Sequence, residues 1–364
     1  MDNKKTFGVG VCGCGKISSI YLTNMINKFQ NLRVISCCAE HFESAEKRAS
    51  QFGIEATTYS EMLRDGRVDI VVVLTPAPTH YALIRQALEA GKHVYTEKCI
   101  TLETAQAMEL KAMAAEKGLY LSSAPDTFLG SAHQSARRAI DEGKIGTVTG
   151  FSVSVNRCWD FLASRYSFLN LPGGGIDLDY GVYYMTQLIN LLGPMESVFA
   201  MSDNYKSTRV NTNENSPDFG KEFFSPNNTR VCAAVRTKSG IPGTFLLDGE
   251  SIRSDMGKVF VYGTEGVLTL CDSNFFGGKI TLTRCDGETG AFVETAVDYD
   301  LPYSENSRGV GPAEMASAIL EGRRSRTDCA LAIHVLDIFE TMSASAASGK
   351  LEYLKTTCPR PDAL

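Results

Sequence analysis

The stretch Phe7-Gly8-Val9-Gly10-Val11-Cys12-Gly13-Cys14-Gly15-Lys16-Ile17-Ser18 constrains this chain more than any other. A short apolar run leads straight into a glycine turn and then into a helical pattern. Such a turn presents the unpaired N–H groups and the positive end of the helix dipole to an anion. When a βαβ unit follows, the usual occupant is the pyrophosphate of a dinucleotide. Two glycine patterns overlap here. Gly8, Gly10 and Gly13 spell G-x-G-x-x-G, but they begin inside the expected strand. The segment beginning at Gly13 sits where strand gives way to helix, and the physics favours it. Gly13 makes the tight turn, and Gly15 lets the backbone approach the phosphates. Lys16 and Ile17 open the helix, and Ser18 is small enough for close helix–strand packing.

The next apolar run, residues 34–39, reads as a second buried strand, and Glu40 stands at its tip. An acid there can accept both ribose hydroxyls of the adenosine, and it repels a 2′-phosphate. NAD is therefore favoured over NADP. A solvated loop acid is the plainer reading of Glu40.

Strands and helices alternate through residue 124. The run 68–74 is almost continuously β-branched, as expected of a strand covered on both faces. A helix over 79–90 stops at Gly91, a strand follows at 93–96, then a helix at 102–117 and a strand at 119–122. Repeated βαβ units imply a doubly wound parallel sheet. After Pro125 the pattern changes. One helix at about 131–142 is followed by strand-like runs at 148–155, 229–237, 244–250, 258–262, 267–271 and 279–283. This predicts a mostly antiparallel open sheet with helix over one face. Residues 204–228 read as a polar loop, and 308–348 return to helix. The division is a dinucleotide-binding domain over 1–124 and a substrate-binding and oligomerisation domain over 125–364.

Composition narrows the partners. A net charge of −6 with no basic stripe argues against nucleic acid. No apolar run approaches the roughly 20 residues that span a bilayer, and Met1-Asp2-Asn3-Lys4-Lys5 leads into the first strand without a secretory core, so a cytoplasmic protein is expected. Several of the eleven cysteines fall in strand-like runs, where cysteine behaves as a small hydrophobe. None pairs at zinc spacing, so reduced thiols and no metal site are expected.

Three segments could carry chemistry. Thr75-Pro76-Ala77-Pro78-Thr79-His80 follows the long strand at its carboxyl end, where ligands bind in such sheets; a proline-stiffened helix cap is the structural alternative. Glu97-Lys98-Cys99 lies after the next strand. A lysine there could hydrogen-bond a substrate hydroxyl and lower the pKa of a neighbouring group, although a surface Glu–Lys pair would look the same. The third is Gly173-Gly174-Gly175-Ile176-Asp177-Leu178-Asp179-Tyr180-Gly181-Val182-Tyr183, read as glycines entering a helix that runs to about residue 192. Asp179 and Tyr183, four apart, share a face of that helix. Asp177 is an alternative acid, off that face and placed to cap the helix. Alone, this third segment reads equally as a core tyrosine and a first-turn acid.

Together these segments resemble the Gfo/Idh/MocA family of oxidoreductases. The matching pieces are Gly13-Cys14-Gly15-Lys16-Ile17, Glu40, Thr75-Pro76 with His80, Gly91-Lys92-His93-Val94 leading to Glu97-Lys98, and the glycine-rich Asp179 segment. Ala124-Pro125-Asp126-Thr127-Phe128-Leu129-Gly130, Tyr262-Gly263-Thr264-Glu265-Gly266 and Glu305-Asn306-Ser307-Arg308-Gly309 resemble one subgroup. Two departures stand out. The family's E-K-P is Glu97-Lys98-Cys99, which frees the backbone after the lysine. Its D-x-x-x-H is Asp179-x-x-x-Tyr183, replacing a group that titrates near 6.5 with one that titrates near 10.

The resemblance implies an NAD-dependent dehydrogenase that moves hydride from a secondary ring hydroxyl of a sugar, glycoside or polyol to nicotinamide. Glucoside C3, in C-glucosides included, is one such position. It implies cofactor contacts from Gly13, Gly15, Lys16, Ile17, Glu40, Thr75, Pro76, His80, Glu97 and Lys98. It also implies Tyr183 as base with its pKa lowered by Lys98, Asp179 orienting hydroxyls, and a sugar site lined by Lys98, Asp126, Asn156, Arg157, Trp159 and Asp160. Trp159 reads equally as a stacking surface and as core. A homo-oligomer is expected by the same analogy. Two rival readings stand: an enzyme with tightly held NAD that oxidises a sugar transiently to cleave or epimerise it, and a sugar- or NAD-sensing regulator without turnover.

Overall fold

The computed structural model describes residues 6–253, 256–298 and 300–364. In chain order the first stretch runs β1 (Phe7–Cys12), α1 (Ser18–Asn27), β2 (Leu32–Cys38), α2 (Phe42–Phe52), β3 (Glu55–Ala56), α3 (Tyr59–Arg64), β4 (Ile70–Val73), α4 (His80–Glu89), β5 (His93–Thr96), α5 (Thr104–Glu116) and β6 (Leu121–Ser123). Next come α6 (Ser131–Asp141), β7 (Val148–Asn156), α7 (Trp159–Ala163), α8 (Val182–Leu192), β8 (Met195–Asp203), β9 (Thr208–Val210), β10 (Glu222–Phe224), β11 (Arg230–Thr237) and β12 (Pro242–Asp248). The chain closes with β13 (Met256–Gly263), β14 (Val267–Leu270), β15 (Thr281–Cys285), β16 (Phe292–Ala296), α9 (Val310–Glu321), α10 (Cys329–Ser348) and β17 (Glu352–Tyr353).

Two compact units emerge. The first holds Met1–Asp126 together with Asn306–Ile333. Its six strands are all parallel in the order β3-β2-β1-β4-β5-β6. β1 and β4 are buried at every position, which is why both read as unbroken apolar runs. The strand order reverses between β1 and β4, and in sheets of this kind ligands bind off the carboxyl ends at that point. A cut at residue 124 leaves out the returning segment. That segment belongs here because Asn24 on α1 donates to the carbonyls of Asn306 and Arg308, and the Ser123 amide donates to the Thr327 carbonyl.

The second unit holds Thr127–Glu305 and His334–Leu364. Its nine strands follow the order β16-β15-β14-β13-β7-β12-β11-β8-β17, antiparallel except where β12 meets β7. β11 alternates buried and exposed residues along its length, so one face is covered and the other is open. Phe339 of α10 packs on Phe245 of β12, their ring centroids 6.0 Å apart, on the covered face. Residues 204–228 are not wholly loop: β9 and β10 pair there as a short antiparallel ribbon. Residues 308–348 form two helices, broken at Gly322 where φ is +65°. Among the described residues α10 is long and apolar enough to match a membrane span by length and composition, yet 78% of its window is buried, the pattern of a core helix.

Candidate functional site

The carboxyl edge of the first sheet gathers the glycine turn after β1, Glu40 after β2, Thr75 and Pro76 after β4, and Glu97 and Lys98 after β5. Gly13 has φ +110°, and a Cβ there would lie 2.7 Å from the Leu74 carbonyl carbon, so glycine is required. Gly15 is exposed and nothing lies within 4 Å of where its Cβ would be, which leaves the approach that a pyrophosphate needs. Gly8 and Gly10 fall inside β1, as the register argument requires. The Ser18 hydroxyl donates to the Gly15 carbonyl at 2.7 Å and starts α1. Lys16 is exposed and Ile17 half-buried; Glu40 is exposed beyond the end of β2.

The sequence did not single out Arg48 of α2. It donates to the carbonyls of Cys14 and Gly15, both at 3.2 Å, and so braces the turn from beneath. Cys14 has its thiol pKa lowered by the neighbouring Cys37 thiol and by Arg48, against the effect of burial. The Thr79 hydroxyl donates at 2.7 Å to that of Thr75, tightening the loop that carries Pro76.

Glu97 is buried: its Oε1 accepts from the Tyr21 hydroxyl at 2.7 Å and its Oε2 from the Lys98 amide at 3.1 Å. Lys98 is half-buried, and the Lys98–Cys99 peptide bond is cis. His80, expected as a cofactor contact, stands at the start of α4. It is fully buried, with both ring nitrogens against backbone carbonyls. Asp126, expected as a substrate contact, lies just past β6. It too is buried, and its Oδ2 accepts the amides of Gly309 and Gly311 at 3.2 and 3.1 Å, at the start of α9.

In the second unit, residues 177–181 form a wide π-helical turn before α8, not the first turn of a regular helix. Such turns recur at functional positions. The turn brings Asp179 to 9% exposure, and Tyr183 follows in α8 at 8%. Asp177 is the structural acid of the segment. It accepts from Asn228 at 3.1 Å and from the Leu178 amide at 2.8 Å, while burial raises its pKa.

The residues after β7 are mostly committed to the unit's own frame. Arg157 pairs with Asp272 at 2.7 Å and lies 4.5 Å over the Tyr180 ring, and Tyr184 donates to the other Asp272 oxygen at 2.6 Å. Asn156 is half-buried and donates to the Ser251 hydroxyl at 3.2 Å. Trp159 is 0% exposed, which makes it a packing residue and removes the stacking surface. Asp160, expected in the sugar site, is met by Lys206 and Arg209 at 2.6 and 2.7 Å, which hold its pKa low despite burial. Tyr184, Asp272, Arg209 and Glu250 went unread in the sequence, where nothing links residues so far apart.

Two family profiles match the chain: an oxidoreductase family with an NAD-binding Rossmann fold over residues 7–124, and the GFO/IDH/MocA C-terminal domain over residues 133–269. The chain belongs to the GFO/IDH/MocA family of oxidoreductases. Its first unit is an NAD-binding domain. The chain is 28% identical to the uncharacterized oxidoreductase YhhX of Escherichia coli over 73% of this chain and 74% of that protein. It is 27% identical to the D-xylose 1-dehydrogenase (NADP(+)) of Hypocrea jecorina over 85% of this chain and 82% of that one. Levoglucosan dehydrogenase, solved in complex with NADH and levoglucosan, shares the fold with a TM-score of 0.84 at 18% identity, covering 97% of this chain and all of that one.

Proposed function

We propose that this oxidoreductase is a dehydrogenase of sugars, glycosides or polyols that removes hydride from a secondary ring hydroxyl. Bound NAD supplies the hydride acceptor, C4 of the nicotinamide. Gly13, Gly15, Lys16 and Ile17 hold the pyrophosphate, Glu40 the adenosine ribose, and Thr75 and Pro76 line the cofactor's path. Tyr183, acting as the phenolate, takes the hydroxyl proton as the C–H bond gives up its hydride, Asp179 orients the neighbouring hydroxyls, and Lys98 hydrogen-bonds the reacting oxygen. The hydroxyl would thereby become a ketone, its proton passing to Tyr183 and its hydride to the NAD that the first unit would hold.

The observation that supports this reading most is the wide turn at Asp177–Gly181. It leaves Asp179 and Tyr183 each a narrow solvent-facing margin, in a family of NAD-binding oxidoreductases. The xylose dehydrogenase relative supports the substrate class. Oxidation at C3 of a glucoside is the finer form of the proposal. Reduced cysteines in a reducing cytoplasm belong to this reading.

The test is incubation with NAD and a panel of sugars, inositols and glucosides, following reduced-nicotinamide absorbance together with product mass. Tyr183→Phe and Lys98→Met should each lose turnover by roughly a hundredfold, the scale of a general acid–base group, while still binding NAD. Turnover within a few-fold of wild type removes that residue from the mechanism. Product without net NADH would instead mark a cycling enzyme.

We also propose that the protein is a homo-oligomer, joined through the open face of the nine-stranded sheet.

A further inference from the structure

His80 opens α4 and is wholly buried. Its Nδ1 lies 2.6 Å from the Cys99 carbonyl oxygen and its Nε2 2.8 Å from the Thr75 carbonyl oxygen. A carbonyl oxygen can only accept. A neutral imidazole carries one N–H, so it could satisfy one of these oxygens and would turn a nitrogen lone pair on the other. The imidazolium has two N–H groups and donates to both, and its charge strengthens each bond.

We propose that His80 is held as the imidazolium and in that form ties the loop after β4 to the loop after β5, fixing the backbone that carries Lys98. The two carbonyls belong to Thr75, two residues past the end of β4, and to Cys99, directly after Lys98 in the other loop. A cation between them sets the lysine's backbone without touching substrate or cofactor, so His80 is a positioning residue.

The electrostatics alone disfavour the charge: the net effect of the surroundings holds the ring's pKa below its ordinary value. Burial is the strongest influence on the ring and disfavours its charge, and Lys98 acts the same way; the two carbonyls and the Glu97 carboxylate favour the charge. Glu97 and Lys98 are charged groups that act on the ring from the loop after β5. Tyr21 from α1 and Asp126 act on Glu97 in turn. What decides between these influences is the pair of short contacts, because neither distance accommodates facing lone pairs.

The positioning role rests on the part proposed for Lys98, whereas the charge of the ring does not. The full-length protein labelled with 15N-histidine carries five histidines, and long-range proton–nitrogen spectra separate a ring with two N–H groups from a ring with one. The His80 signal is assigned by its loss in His80→Gln or, should that variant not fold, by replacing the other four in turn. Two protonated nitrogens on His80 at neutral pH are expected. One protonated and one bare nitrogen at that pH would overturn the proposal.

Kinetics test the second half. His80→Gln should lower kcat by roughly tenfold or more, the scale of a misplaced catalytic group, with the NAD dissociation constant within a few-fold of wild type. A weakened NAD affinity with unchanged kcat would make His80 a cofactor contact and sink the positioning role. Full turnover in Lys98→Met would defeat the reading of Lys98 and leave the spectroscopic result intact, so the two failures are distinguishable.

Discussion

Asp126 carries a charge problem that the fold only partly solves. Burial lifts its pKa from 3.8 to about 6, while Arg308 and the amides of Gly311 and Gly309 pull the other way. The native protein therefore holds this proton more tightly than the unfolded chain does. The resulting stability is fully present below about pH 4 and is lost as the pH rises through about 6, at up to roughly 1.4 kcal/mol per pH unit. Asp126→Asn keeps an acceptor oxygen without the charge. It should gain on wild type as the pH goes from 4 to 7, read as the difference between their thermal midpoints; a difference independent of pH would refute the argument. The same residue marks where sequence reading stops. The sequence shows a polar residue just past the last strand of the sheet, but the amides it serves lie at Gly309 and Gly311, with nothing in the pattern to connect them. Trp159 fails for a related reason, since a lone aromatic reads alike as surface or as core. Gly13 was legible because its requirement is local: a positive φ and a neighbouring carbonyl allow only glycine.

At the scale of elements, alternating periodicities identified the parallel sheet and the switch to antiparallel strands, because covered strands and amphipathic helices write their burial into consecutive residues. The ribbon of β9 and β10 stayed hidden because polar contacts hold it, with a buried arginine at their centre. Arg209 on β9 is wholly buried, with Asp160 at 2.7 Å and Glu250 at 2.6 Å. No apolar alternation announces a strand held by ion pairs. Asp160 and Glu250 lie 49 and 41 residues from Arg209, so the triad is invisible along the chain. Removing the cation leaves Asp160 with Lys206 alone and takes from Glu250 its buried partner; a fully buried pair broken from one side loses about 3–5 kcal/mol, and the partial exposure of Asp160 reduces that figure here. Arg209→Met should therefore lower the melting temperature and open residues 204–228 to limited proteolysis, with the first cuts inside that excursion. Cleavage elsewhere first, with the ribbon still protected, would show that Arg209 is not what holds it.

On the scale of the whole molecule, the second unit keeps one sheet face uncovered and strongly apolar. Met201 of β8 is 66% exposed, Phe199 44%, and Leu246 of β12 41%. These residues form a continuous surface because β11 lies between the two strands. Cys232 of β11 is exposed and stands opposite Met201 on one side and Leu246 on the other, and Ala234 stands opposite Phe199 in the next row. Contiguous apolar surface of this kind usually marks an association site. A second copy is the occupant proposed, since two copies of an open sheet can present the same face to each other about a twofold axis. A charge in the middle of such a face would be buried without a partner upon association, at a cost of several kcal/mol per ion, but it would cost little in an isolated subunit, where it stays in water. Met201→Glu should therefore lower the mass measured by sedimentation equilibrium to that of a smaller species, with the far-ultraviolet circular dichroism unchanged. A wild-type protein that sediments as a 39.6 kDa monomer across the micromolar range would refute the proposed interface. So would a Met201→Glu variant that keeps the wild-type mass, because a face that tolerates an unpaired carboxylate at its centre is not buried in the assembly.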